Sequence, residues 1–157
     1  MEHENTTSHG IGLAGETLFS AQDLHKAMTA RRLAERSREE AREHELAQAQ
    51  AEQVKHLKIP IEITTEKLAA FMKRIQEAAD HGETQILVLR FPSDLCTDRG
   101  RAINNAQAGW EETLVGVPRQ LYEVWVEKLK PRGFGLHAEV LEYPHGMPGD
   151  VGLFCRW

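Results

Sequence analysis

From Ala21 to Lys58 the chain contains neither glycine nor proline, and Ala, Glu, Arg, Gln and Leu dominate. These residues lose little backbone or rotamer freedom in a helix, so the stretch is expected to form one helix well beyond the ordinary three turns. Ser20, followed three residues later by Asp23, resembles a helix-start capping pattern. The apolar residues Leu24, Ala27, Met28, Leu33 and Ala34 cluster early and Leu46, Val54 and Leu57 late, separated by the strongly charged run from Glu35 to Glu45. No heptad is sustained, so a continuous coiled coil is not expected. The reading is a solvated spacer helix held by pairs such as Arg36 with Glu40 and Glu35 with Arg38, with a self-associating stalk as the alternative.

A chain of 157 residues accommodates one domain plus an appendage. Residues 1–19 mix Glu, His, Thr and Ser with three glycines and no apolar period, a composition expected to remain a flexible tail. Residues 20–58 are the long helix, and residues 59–157 are expected to form a compact α/β domain. Hydrophobic residues make up 41% of the chain, enough for a modest core. A formal net charge of -5 lacks the basic excess that phosphate neutralisation favours, which argues against histone-like or polybasic membrane binding. Two cysteines, Cys96 and Cys155, without Cys-x-x-Cys spacing imply reduced thiols rather than a disulfide framework. The acidic start Met1-Glu2-His3-Glu4 does not read as a signal peptide, and no apolar run approaches the ~20 residues needed to span a bilayer. A cytoplasmic protein is the expectation.

Within residues 59–157, Ile59, Ile61 and Ile63 alternate with Pro60 and Glu62, the pattern of a short edge strand. Thr64 and Thr65 are N-cap residues for a helix in which Leu68, Phe71, Met72, Ile75 and Ala79 recur at helical spacing before Gly82. The run Ile86-Leu87-Val88-Leu89 reads as a strand covered on both faces, hence central, and ends at Pro92. Pro118 opens a second helix carrying Leu121, Tyr122, Val124, Trp125, Val126 and Leu129, closed by Pro131 and Gly133. Two further strands, Gly135 to Tyr143 and Val151 to Trp157, are separated by a turn-rich segment short enough for a hairpin.

This order predicts a two-layer α+β sandwich with βαβαββ connectivity, a four-stranded mixed sheet whose first two strands are parallel, and both helices on one face. The element order is similar to that of the Alba, sulfur-carrier TusA and translation initiation factor three C-terminal group of folds. The resemblance implies nucleic-acid binding or sulfur transfer. Sulfur transfer needs a Cys-Pro at the first helix start, where this chain has Ile63-Thr64-Thr65-Glu66-Lys67.

Residues 92–116 form a long connection without a clean period, directly after the strand expected to be central, where α/β sheets commonly place ligands. Arg90 just before it and Asp94, Cys96, Asp98, Arg99, Arg101, Asn104, Asn105 and Trp110 within it are the candidate contact residues. Arg99 and Arg101 flank Gly100, so two guanidinium groups are available to a phosphate or carboxylate; alternatively, Asp94 and Asp98 cap local turns and pair with the arginines, ordering the loop without a ligand. Cys96 is a nucleophile only if a cation stabilises its thiolate, and otherwise a small core residue. Trp110 reads as a loop anchor or a contact aromatic. The turn Tyr143 to Asp150, stiffened by Pro144 and Pro148, reads as a binding lip or as a plain hairpin connection.

Eight histidines invite a metal site, yet no pair has a diagnostic ligand spacing, and neither a metal nor a cofactor is expected. The functional expectation is a non-catalytic interaction or regulatory protein that meets a protein partner or a second copy through the helix and the 92–116 loop. RNA binding through a local arginine patch is one alternative, against 11 basic and 14 acidic residues in 59–157 and a net charge of -3 there. A small enzyme using the 92–105 loop is the other.

Overall fold

The computed structural model describes residues 20–157; the expected tail, residues 1–19, lies outside the described residues. The chain divides into two units, one ending at His44 and the other spanning Glu45–Trp157, with the division falling inside the long helix. That helix, α1, runs without interruption over Ala21–Lys58. Its start is a reciprocal cap: the Asp23 backbone N–H donates to Ser20 Oγ at 3.1 Å, and the Ser20 N–H and hydroxyl both donate to the Asp23 carboxylate. These bonds hold the Asp23 carboxyl below its ordinary pKa. Glu35 pairs at 2.9 Å with Arg31, one turn before it, rather than with the expected Arg38, one turn after it. No residue of α1 is buried, and only Val54 and Leu57 are even half-buried.

In the unit Glu45–Trp157 the elements after α1 are α2 (Thr65–Asp80), β1 (Gln85–Pro92), the short helix α3 (Arg101–Asn104), α4 (Gly116–Val124), β2 (Gly135–Val140) and β3 (Asp150–Arg156). The three strands form one antiparallel sheet in the order β1-β3-β2. The expected four-stranded mixed sheet and βαβαββ order are therefore corrected. Residues 59–63 form no strand: Ile61 exchanges its backbone hydrogen bonds with the Gln120 side chain, whose amide accepts from Ile61 N–H at 3.0 Å and donates to Ile61 C=O at 2.5 Å. A glutamine amide has one donor and one acceptor side by side and satisfies an isolated extended residue as a strand neighbour would. With no first strand, the parallel crossover and the Alba-like order disappear together.

The central strand is β3, and β1 lies at an edge. Ile86, Leu89 and Phe91 pair with Cys155, Leu153 and Val151, but the register shifts between Leu87 and Leu89. The bulge inserts Val88, so Ile86, Val88 and Leu89 all pack into the core while Leu87 is exposed. The continuous apolar run thus records a bulge rather than burial on both faces. The hairpin expected from β2 and β3 is present, with Leu136 opposite Cys155 and Ala138 opposite Leu153.

Helix α2 is capped by Thr64, whose side chain accepts from Lys67 N–H, and it buries Ile75 against Cys155 and Leu129. The second expected helix is composite. After α4 the backbone widens into a π-helical turn at Trp125–Leu129 and tightens into a 3₁₀ turn at Lys130–Arg132. The core has two parts: one centres on Phe91, Leu95, Leu114, Val151 and Leu153, with Val54 and Leu57 of α1 packed on it, and the other on Ile75, Leu129 and Cys155.

Candidate functional site

The 92–116 segment is built into the first part of the core. Leu95, Cys96, Ala102, Ile103 and Leu114 are buried, and Cys96 forms an isolated antiparallel bridge with Leu114. Asp98 accepts from Gly100 N–H at 3.0 Å and from Ala102 N–H at 2.6 Å, which sets the first turn of α3. Gly100 adopts φ 77 in close approach to the chain itself: a Cβ there would lie 3.3 Å from Ser93 Cβ. Ser93 in turn ties the segment to the 144–150 turn, its hydroxyl donating to Pro148 C=O at 2.9 Å and its N–H to Gly149 C=O at 3.0 Å.

The remaining candidates divide in the same way. Arg90 donates from Nε to Asp150 at 2.6 Å and from Nη2 to Glu142 at 3.1 Å, so two carboxylates occupy its fork and hold its proton more firmly. Asn104 Oδ1 accepts from the Tyr143 hydroxyl at 2.7 Å, and its amide donates to Asn105. Trp110 is half-buried and packs on the core, as an anchor does. Burial pushes the Cys96 thiol up to about 11, opposite to the direction in which a nucleophile is tuned. Asp94, Arg99 and Arg101 remain exposed, and among the described residues none of them enters an ion pair. Two further arginines on which a local RNA patch would draw are engaged within the chain: Arg119 pairs with Glu123 at 3.0 Å and Arg132 donates to Lys128 C=O.

A second site was not anticipated from the sequence. Between α2, α4 and the core face of the sheet lies a cavity of about 360 Å³ whose walls draw on both parts of the core, Leu89, Leu121 and Leu153 from one and Phe71, Trp125 and Cys155 from the other. Among the described residues its lining is apolar except for Lys67 and Arg74 and includes no carboxylate. Ile61, Lys67 and Arg74 are exposed lining residues and mark the mouth. Trp125 is fixed in the wall by its indole N–H, which donates to Phe134 C=O at 2.9 Å. The amphipathic periods of both helices are visible in the sequence, and so are two cations seven residues apart beside Leu68 and Phe71. The failure of those faces to close on one another is not.

Among the described residues, no helix is long and apolar enough to cross a membrane, and no three His, Cys, Asp or Glu side chains converge as metal ligands. No family model, no curated protein and no solved structure matches this chain.

Proposed function

We propose that the protein is a non-catalytic interaction protein that presents α1 to a protein partner. The observation carrying this reading is the exposure of α1: Leu24, Met28, Leu33 and Leu46 are 55%, 52%, 61% and 62% accessible on a helix that buries none of its residues. Leu24, Ala27 and Met28 recur at i, i+3 and i+4 and form a short apolar stripe next to the reciprocal cap, a helix face suited to an apolar groove on another protein. The 92–116 segment adds exposed Arg99 and Arg101 as polar contacts.

The test compares full-length protein, the double variant Leu24→Lys/Met28→Lys and residues 45–157, using recovery of a partner from native extract and molar mass in solution. Recovery of one defined protein by the full chain, lost in both the variant and the truncation, supports the reading. A mass that falls from dimer to monomer in the same two proteins makes the partner a second copy. Identical recovery and mass for all three rule out α1 as the contact surface, and salt-sensitive RNA retained by residues 45–157 replaces the proposal with a nucleic-acid role.

A further inference from the structure

The cavity between α2 and α4 is lined by residues of the unit Glu45–Trp157, and its chemistry is specific. The cavity is open to solvent at its mouth and holds about 360 Å³, within the range of small-molecule sites. Two local features keep it open. The π-helical turn Trp125–Leu129 displaces the end of the α4 segment from regular α-helical packing, with Trp125 and Leu129 both in the wall; such turns recur at functional sites. The 59–63 segment contributes Ile61 and Ile63 to the lining and is strapped there through Gln120 rather than by a neighbouring strand.

The mouth supplies polarity of one sign. Lys67 and Arg74 lie two turns apart on α2, about 10 Å along its axis, and so bracket one face. Lys67 Nζ donates to the Glu62 carbonyl at 2.6 Å and has further donors available, while Arg74 makes no ion pair among the described residues. An apolar chamber with two cations and, among the described residues, no carboxylate matches a ligand with an apolar body and a single anionic head. We infer that this cavity binds a small amphipathic monocarboxylate, with its hydrocarbon or aromatic body against Phe71, Leu121 and Trp125 and its carboxylate between Lys67 and Arg74.

Decanoate, with a dozen non-hydrogen atoms, is the probe, titrated calorimetrically into the full chain below its micelle-forming concentration beside decanol and decyltrimethylammonium. The expected result is saturable one-to-one binding of decanoate, tighter than decanol, with decyltrimethylammonium weakest. Lys67→Gln/Arg74→Gln, two exposed positions that do not threaten folding, is expected to weaken decanoate by about tenfold and leave decanol unchanged. Leu68→Trp, which fills the chamber, is expected to abolish both in a protein that keeps its native circular dichroism. Absence of saturable decanoate binding, equal affinity for the three probes, or an unchanged decanoate affinity in the double glutamine variant overturns the inference, whether or not Leu68→Trp folds.

Discussion

Asp98 and Arg99 are neighbours with different work, and the difference is measurable. The Asp98 carboxylate receives two backbone N–H groups that have no alternative acceptor in the first turn of α3, so Asp98→Ala is expected to cost about 1–2 kcal/mol in urea denaturation. Arg99→Gln and Arg101→Gln, at exposed positions that enter no ion pair among the described residues, are expected to stay within about 0.5 kcal/mol of the parent. A larger arginine effect would mean that the loop depends on its cations. The thiols make a pH prediction. Burial raises both Cys96 and Cys155 from 9.0 to about 11, so between those values the unfolded chain has released protons that the folded chain retains. Stability is therefore fully present below pH 9 and falls as pH rises towards 11. Cys155→Ala is expected to lower stability at pH 8 through its lost packing but to show a shallower decline from pH 9 to 11 than the parent, measured by denaturant midpoint. Native protein at pH 8 is expected to react with an aromatic disulfide reagent only on the timescale of unfolding.

At the scale of elements, what could be read from the chain depended on whether the deciding contact was local. The start of α1 at Ser20 and Asp23, the Thr64 cap of α2 and the β2–β3 hairpin are set by neighbours within a few residues, and each was legible. The position of β1 was not, because a bulge at Val88 and burial on both faces leave the same trace of consecutive aliphatic residues. The 59–63 segment has the alternation of a strand, but its partner is Gln120, 59 residues away from Ile61. For the candidate loop, turn capping by Asp98 was one of two readings that the sequence left open; the loop's membership of the core depends on Leu95, Ile103 and Leu114 meeting β3, a long-range fact. The junction of α1 with α4 rests on one position of the same kind. Gly116 has φ +65, and a Cβ there would meet Leu57 C=O at 2.2 Å and Lys58 Cα at 2.9 Å, both backbone atoms of the α1 end. Gly116→Ala is expected to cost about 2–4 kcal/mol, from the left-handed backbone and the forced retreat of α1 together. Gly82→Ala, left-handed but with nothing within 4 Å of its Cβ, is the control and is expected to cost only about 1–2 kcal/mol. Equal losses at the two sites would mean that the α1 end contributes no packing.

Across the whole molecule, the uneven burial of α1 predicts that the chain does not unfold as one unit. Residues 21–44 bury nothing, so their helicity rests on intrinsic propensity and solvated pairs such as Arg31 with Glu35, and a helix with that support alone is marginal in water. From Val54 onward the same helix gains contacts with the first part of the core. Far-ultraviolet circular dichroism is therefore expected to begin falling at lower urea than the fluorescence of Trp110, Trp125 and Trp157, all three of which lie in the unit Glu45–Trp157. Removing residues 1–44 is expected to abolish the early phase and leave the fluorescence midpoint within the equivalent of about 0.5 kcal/mol. Removing residues 1–58 also takes away Val54 and Leu57, two half-buried aliphatic side chains on the core, and is expected to lower stability by about 2 kcal/mol. Coincident transitions in the full chain would show that residues 21–44 are held by contacts beyond their own helix, and such contacts in solution would most directly be those of a second copy, separable by their dependence on protein concentration.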